Sequence, residues 1–185
     1  MIDEFSRDPF VETEQTRNVI DTTIEYLNRK LTWGGDIYML DIGRPSPLTE
    51  VVENHFNLYM FNTEGDLDTD FTFEYDMRYD YILYSHTIEH QFNPLHTLLE
   101  LGYKAMHYGT KMFIILPHKP KFLWWEGHYH EIDHYRMRML LKRAGLRIVS
   151  YERHRVWRNW KFYFTGVRPF IRLFCEWNGY YEVQL

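Results

Sequence analysis

Hydrophobic residues recur along the chain at two spacings, and stretches of the two kinds alternate. Short runs of apolar residues, rich in aromatic and β-branched side chains, predict buried strands. Longer stretches with apolar residues three or four positions apart predict amphipathic helices. The predicted strands are 36–42, 57–62, 71–73, 81–84, 111–116, 146–152 and 180–185. The predicted helices are 11–31, 48–55, 95–105, 134–144 and 165–177.

Residues with capping chemistry stand at the predicted helix starts. Asn93 and Ser46 are good N-caps, and each is followed by a proline, which fits the first helical position. Asp133 caps the fourth helix in the same way. Alternating strands and helices predict an α/β fold, with a mostly parallel sheet and helices on both faces. The last two strands lack a crossover of usual length, so we expect an antiparallel strand at one edge.

Length and composition narrow the classes of protein. A chain of 185 residues fits a single domain, with residues 1–35 as an N-terminal helical cap and 36–185 as the core. A net charge of −5 without a basic stripe argues against a nucleic-acid partner. The single cysteine, Cys175, suits a reducing, cytoplasmic location. No leader segment or membrane-spanning run is evident, so no membrane partner is expected. The oligomeric state stays open.

Polar side chains crowd the segment that follows the predicted strand 81–84. Ser85, His86, Thr87, Glu89 and His90 occur within six positions. In an open α/β sheet, the loops at the carboxyl ends of the strands are where ligands bind. The sequence therefore predicts a functional site in this loop.

Four segments in order carry a family resemblance. They are YMLDIG (38–43), YDYILYSHTIEHQFNPL (79–95), KMFIILPH (111–118) and DHYRMRMLLKRAGLRIV (133–149). They resemble the glycine loop, the fourth strand with its Glu-His pair, the fifth strand and the late helix of class I S-adenosylmethionine-dependent methyltransferases, in the small-molecule type 11 group. The resemblance implies a Rossmann-like methyltransferase sheet. It also implies methyl transfer from S-adenosylmethionine to an oxygen or nitrogen of a small or medium-sized acceptor.

The chain departs from the family pattern in two places. Pro45 and Pro47 stand where the family loop has further glycines, and prolines remove backbone amides. The interval between Gly43 and Tyr79 is short for two complete strand–helix units, which predicts a shortened middle region. An alternative function is therefore a catalytically inactive methyltransferase-like protein that binds or scaffolds a partner.

The resemblance also implies roles for individual residues. The predicted cofactor-binding residues are Asp41, Gly43, Asp66 and Ser85. Asp66 would hold the ribose, with Glu64 and Asp68 as the other candidates. His86 or His90 would remove the proton of the acceptor.

A metal site is a further expectation. Small-RNA 2′-O-methyltransferases and some ubiquinone-pathway O-methyltransferases, which this loop resembles, hold a divalent metal there. The implied ligands are His86, Glu89, His90 and the later His130, a donor set that suits a borderline ion. The alternative is a set of hydrogen-bonded loop residues, one of them a general base. A zinc-peptidase site is disfavoured because its H-x-x-E-H motif needs a helix.

Three other segments have open interpretations. Trp124 and Trp125 form either a substrate lid or a flap packed on the sheet. Four basic residues alternate with two tryptophans in a segment that either binds an acidic group or is a solvated loop; they are Arg153, Arg155, Arg158 and Lys161, with Trp157 and Trp160. Cys175 is expected in the core with Phe170, Leu173 and Phe174.

Overall fold

Six strands form one sheet with helices packed on both of its faces. A computed structural model describes residues 14–32, 34–120, 123 and 128–185. The strands are β1 (Tyr38–Asp41), β2 (Tyr59–Asn62), β3 (Glu64–Asp66), β4 (Asp70–Thr72), β5 (Tyr81–Ser85), β6 (Lys111–His118), β7 (Arg147–Arg155) and β8 (Trp177–Gln184). The helices are α1 (Glu14–Lys30), α2 (Pro47–Phe56), α3 (Pro94–Lys104), α4 (His134–Arg143), α5 (Trp160–Tyr163) and α6 (Val167–Cys175), with a 3-10 turn at Ile88–His90.

The sheet order confirms the predicted architecture. The strands lie in the order β2-β1-β5-β6-β8-β7. The pairs β1–β2, β1–β5 and β5–β6 are parallel, whereas β8 is antiparallel to both β6 and β7. The edge with antiparallel pairing is therefore built by the last two strands, as the missing crossover predicts.

Alternate side chains of the central strands pack into two separate hydrophobic cores, one on each face of the sheet. In β5, Ile82 and Tyr84 face one side, where α3 and α4 pack, and Tyr81 and Leu83 face the other, where α1 and α2 pack. Period-two alternation with both faces apolar is the pattern of a strand covered by helices on each side. On the α1 side, Tyr26 meets Phe113 and Tyr180 edge-on or tilted, with ring centroids 5.8 and 5.0 Å apart.

The predicted shortened middle region is a small hairpin. Strands β3 and β4 pair with each other in a separate two-stranded sheet. The Asp68 carboxylate accepts hydrogen bonds from the backbone N–H groups of Phe92 and Asn93, at 2.9 and 2.7 Å. The Thr97 hydroxyl donates to the Leu67 carbonyl at 2.8 Å. The hairpin is thereby tied to the start of α3.

The C-terminal region departs most from the sequence-based prediction. The short helix α5 is not predicted, and β8 starts at Trp177, three residues earlier than expected. The prediction that Cys175 shares a core face with Phe170 and Phe174 is wrong, because those rings are 47% and 56% exposed. The helical spacing of apolar residues shows that one face of the helix is apolar. It does not show whether that face packs against the sheet.

A buried carboxylate anchors the segment between β7 and β8, which contains α5 and α6. Glu176, 1% exposed, accepts bidentate hydrogen bonds from Arg158 at 2.9 and 3.1 Å and one from Arg172 at 2.8 Å. Lys119 lies 3.7 Å from the same carboxylate. One arginine before α5, one arginine within α6 and a lysine after β6 therefore share one anion. Among the described residues, no helix combines the length and the apolar character needed to cross a bilayer.

We expect Glu176→Gln to destabilise the protein by about 3 kcal/mol, because it leaves two largely buried guanidinium groups without their counter-charge. Urea denaturation of the variant and the wild type measures this difference. Glu152→Gln is the matched control, since the ion pairs of that half-exposed carboxylate contribute under about 1 kcal/mol. Equal stability of the two variants would contradict the anchoring role.

Candidate functional site

The loop after β1 begins with a tightly held turn. The Ile42 amide donates to the Leu83 carbonyl of β5 at 2.8 Å, so the parallel pairing continues past the end of the strand. Gly43 follows with φ +121°, a region that side chains rarely adopt, and its amide donates to the Thr63 hydroxyl at 2.8 Å. Ser46 then caps α2, with its hydroxyl and that of Thr49 bonded to each other's backbone N–H.

A cavity of about 330 Å³ opens beside this turn, and we call it the first cavity. It lies where the strand order reverses, at the carboxyl ends of β1 and β5. It is lined by Thr16, Val19, Ile20, Asp41, Ile42, Arg44, Ser46, Leu48, Ser85, His86 and Thr87. The hydroxyl of Ser85 is buried and has no hydrogen-bond partner among the described residues. Such an orphaned group calls for a ligand or a water.

Asp41 is the acidic group of the first cavity. The carboxylate is 6% exposed and accepts hydrogen bonds from the Thr49 hydroxyl at 2.6 Å and the Asn62 amide at 3.4 Å. Burial raises the pKa of Asp41 to about 6, and the hydrogen bonds from Thr49 and Asn62 oppose this shift only in part. The sequence-predicted residues Asp41 and Ser85 thus meet at one cavity, with Gly43 in the adjoining turn.

His86 stands in a strained backbone position directly after β5. Its φ is +52°, in the left-handed region that non-glycine residues rarely adopt, while its amide is held by the Ile115 carbonyl at 2.8 Å. The ring lies 3.5 Å from the Glu89 carboxylate through Nδ1 and 3.4 Å from the Asn178 amide through Nε2. Backbone strain of this kind clusters at functional sites.

Glu89 is a buried carboxylate in the 3-10 turn. It is 2% exposed, and its Oε2 has no hydrogen-bond partner among the residues that the structure describes. Burial raises the pKa of Glu89, but the nearby rings of His86 and His90 outweigh burial and hold the pKa below its usual range. The carboxylate therefore stays ionised in a site that water barely reaches.

Three side chains come together around Glu89. Ligand atoms of Glu89, His90 and His128 all lie within 4.8 Å of one another. The two imidazole rings stand edge to face, with centroids 4.8 Å apart. The Nδ1 atom of His128 lies 3.5 Å from the buried Glu131 carboxylate. A carboxylate behind a histidine is the pairing that orients metal-ligating imidazoles.

The structure brings His128 to this cluster rather than the predicted His130. The amides of Tyr129 and His130 both donate to the Glu89 carbonyl, at 2.9 and 3.2 Å, so the chain turns just after His128. The Nε2 atom of His130 instead lies 3.2 Å from the Phe92 carbonyl. Which histidine joins the cluster depends on this long-range backbone contact, for which the sequence carries no signal.

A second cavity, of about 170 Å³, contains the cluster. It shares Val19 and His86 with the first cavity, so the His86 ring borders both. Asn178 and Lys119 are among the lining residues that the sequence pattern does not single out. Asn178 enters from β8, and Lys119 follows β6, where burial lowers the pKa of its amine against the opposing effect of Glu176. The proline-ended strand KMFIILPH was the only hint that this region matters.

Other predicted residues lie elsewhere. Asp66 is exposed on β3, does not line the first cavity, and accepts a hydrogen bond from the Asp68 amide at 2.9 Å. Glu64 is exposed on the same strand, and Asp68 holds the start of α3. A ribose contact by Asp66 stays a prediction. Trp124 and Trp125 lie outside the described residues.

A wider groove of about 740 Å³ lies between α3 and α4. Its rim includes Phe92 and Tyr129, whose rings stack with centroids 4.0 Å apart. The groove shares Glu131 with the surroundings of the histidine cluster but contains neither Glu89 nor His90. It is therefore a surface feature beside the site.

Comparison with known proteins identifies the fold. No protein-family model matches the sequence, and no curated protein matches it either. A SAM-dependent methyltransferase from Archaeoglobus fulgidus is 14% identical, with a TM-score of 0.58 over 90% of this chain and 93% of its own. Phosphoethanolamine N-methyltransferase 2 of Haemonchus contortus, solved with S-adenosyl-L-methionine, is 12% identical, with a TM-score of 0.60 over 89% of this chain and 52% of its own.

One structural neighbour has another activity. The [4+2]-cyclase SpnF is 10% identical, with a TM-score of 0.58 over 88% of this chain and 79% of its own. The chain therefore has the class I methyltransferase fold, as the resemblance implied. A fold alone does not determine a reaction.

We expect the stability contributed by Asp41 to increase as the pH falls. Its pKa is about 6 in the folded protein and 3.8 when unperturbed, so the folded state binds the proton more tightly. Lowering the pH from 7 to 4 should stabilise the wild type relative to Asp41→Asn by roughly 2 kcal/mol, lost again as the pH rises through 6.

Urea denaturation of both proteins at a series of pH values measures this difference. Asp21→Asn, at an exposed position of α1, corrects for the loss of one surface carboxylate. A stability difference that stays constant over this range would show that the Asp41 carboxylate is not desolvated.

Proposed function

We propose that this chain is an S-adenosylmethionine-dependent methyltransferase that moves a methyl group to an oxygen or nitrogen of a small or medium-sized acceptor. The observation that carries the proposal is the first cavity, at the point where the strand order reverses. In open α/β sheets this reversal creates the crevice that takes a ligand. Because the same fold also occurs in a cyclase, the proposal depends on the residues of the site.

The first cavity fits a ligand with polar and apolar parts. Its volume falls at the lower end of the ~300–1,000 Å³ typical of small-molecule sites. Asp41 and the buried Ser85 hydroxyl provide polar contacts, and Val19, Ile20 and Leu48 provide apolar ones. When bound, S-adenosylmethionine supplies an electrophilic methyl group on a good leaving group. The protein then acts mainly by holding the two reactants in line.

His86 and His90 are the proposed catalytic residues. His86 borders both cavities, so its ring can accept a proton from an acceptor held in the second cavity. The neighbouring Glu89 carboxylate would stabilise the resulting imidazolium, since it lies 3.5 Å from Nδ1. Asn178 limits the rotation of the ring from the opposite side. His90 lies next to both Glu89 and His128.

We further propose that Glu89, His90 and His128 hold a divalent metal ion. One carboxylate with two imidazoles suits zinc, manganese or iron. The buried Oε2 of Glu89 supports this fit, as does Glu131 behind His128. Such an ion would lower the pKa of an acceptor hydroxyl and orient it. His86 would then serve as the base beside the ion, rather than as one of its ligands.

A binding or scaffolding protein without catalysis is the second candidate. The observation that favours it is the occupation of the glycine loop by the protein's own side chains. Thr49 and Asn62 bind the Asp41 carboxylate, and Thr63 accepts the Gly43 amide hydrogen. The Asp41 carboxylate and the Gly43 amide, which would contact the cofactor in a methyltransferase of this fold, are thus partly hydrogen-bonded within the protein itself. The two candidates differ in whether the first cavity binds the cofactor.

We expect S-adenosylhomocysteine to bind with a micromolar dissociation constant and to raise the melting temperature. Ser85→Leu should abolish binding because its side chain fills the first cavity. Ser85→Ala should weaken binding only about fivefold, since it removes one hydrogen bond. Calorimetric titration measures each constant, with the melting temperature of each ligand-free variant as the folding control. A wild type that binds neither S-adenosylmethionine nor S-adenosylhomocysteine would favour the scaffold.

We expect one Mn²⁺ or Zn²⁺ ion per chain, and at least about tenfold weaker binding in Glu89→Gln and His128→Ala. His130→Ala is the matched control, because that histidine is two residues away and outside the cluster. Titration with the metal salt alone and elemental analysis after dialysis measure the stoichiometry. Equal weakening by His130→Ala, or no metal retained by the wild type, would refute the site.

A further inference from the structure

Helix α6 turns its apolar face towards solvent. Its apolar residues Val167, Phe170, Ile171 and Phe174 follow the spacing of one helix face. Val167 is 77% exposed, and no residue of α6 is buried, whereas α2, α3 and α4 each bury at least two. An amphipathic helix of a globular domain normally packs that face against the core. This inversion calls for an explanation.

Helix α5 and the preceding loop extend the same apolar surface. We define the aromatic patch as Trp157, Trp160, Phe164, Val167, Phe170 and Phe174, all of which are exposed. The rings of Trp160 and Phe164 lie 5.9 Å apart, and those of Phe170 and Phe174 lie 5.5 Å apart. Helices α5 and α6 are in contact with each other. Large exposed apolar patches of this kind mark interaction sites.

The chain segment that carries the aromatic patch is basic. Residues 153–175 contain six arginines and lysines and no acidic residue, although the whole chain has a net charge of −5. The guanidinium of Arg155 lies 5.3 Å from the ring centroid of Trp157 and 4.7 Å from that of Trp177. The amine of Lys161 lies 6.0 Å from the ring centroid of Trp160. Cations therefore stand beside the exposed rings. Arg158 and Arg172 face inward to Glu176 instead.

We propose that the aromatic patch docks onto the surface of a lipid bilayer that contains anionic headgroups. Helices with an aromatic face and flanking arginine or lysine lie in the plane of the membrane interface. Their rings enter the headgroup region, while the cations meet anionic lipid. Tryptophan, present twice in the patch, prefers this interface. A nucleic acid would match the charge but would leave the outward phenylalanine and valine tips without a partner.

This inference revises one expectation from the sequence. The expected absence of a membrane partner relied on the lack of a run long enough to span a bilayer. A helix that lies on the surface needs no such run, because only one of its faces leaves water. The segment of alternating basic and tryptophan residues thereby gains a role. The inference is independent of the proposed reaction, since the patch and the first cavity share no residue.

The test is co-sedimentation with vesicles of phosphatidylcholine, alone and with about 30% phosphatidylglycerol. We expect the wild type to sediment with the anionic vesicles and at least tenfold less with the neutral ones. The triple variant Phe164→Ser, Phe170→Ser, Phe174→Ser should lose binding at least tenfold, because the apolar face is gone. Lys161→Glu should weaken binding severalfold, and added salt should weaken it further.

The matched control is Tyr103→Ser, Tyr108→Ser, Tyr135→Ser, which removes three exposed rings elsewhere and should bind like the wild type. Circular dichroism and the melting temperature establish that both triple variants fold. The proposal is overturned if the wild type does not sediment with anionic vesicles, or if both triple variants bind these vesicles equally well. It is also overturned if the wild type is a lipid-free dimer that the phenylalanine variant dissociates, or if it binds an oligonucleotide but no vesicle.

Discussion

The parallel pairing of β1 with β5 is the constraint on which the site depends. These strands are distant in sequence, yet Asp41 pairs with Leu83 in register, and the Ile42 amide continues the ladder. Their chains leave the sheet on opposite sides, one into α2 and the other into the 3-10 turn, so a crevice opens between them. The first cavity is a consequence of this topology. The side chains that line it determine which ligand it can bind.

Glu89 organises the second half of the site through two different groups. Its carbonyl accepts hydrogen bonds from the backbone amides of Tyr129 and His130 in the histidine-rich loop after β6. These bonds determine that His128, rather than His130, turns towards the cluster. Its carboxylate stays ionised in a buried position, because the rings of His86 and His90 outweigh the cost of burial. Backbone and side chain of one residue thus position the cluster and supply its charge. The strained backbone of His86 places a third ring between the two cavities.

The segment between β7 and β8, which contains α5 and α6, has ion pairs on its inner side and apolar rings on its outer side. Glu176 binds Arg158 and Arg172 underneath, while the aromatic patch faces outward. This is the reverse of the usual arrangement in a water-exposed helix pair, and the buried ion pairs make it possible. They tie the end of α6 to the loop before α5 and to Lys119 after β6, without using the apolar face of α6. That face stays available for a partner, and its basic surroundings favour an anionic one.

The alternation of strand and helix patterns, with the caps Ser46, Asn93 and Asp133, was enough to predict the sheet, its antiparallel edge and most element boundaries. These features depend on local periodicity and capping, which a sequence displays directly. The cluster of polar residues after β5 was also evident. The choice of His128 over His130, the approach of Asn178 and Lys119, and the outward face of α6 were decided only by tertiary structure. Each depends on a contact between segments far apart in the chain, and periodicity reports that a helix face is apolar without reporting what that face meets.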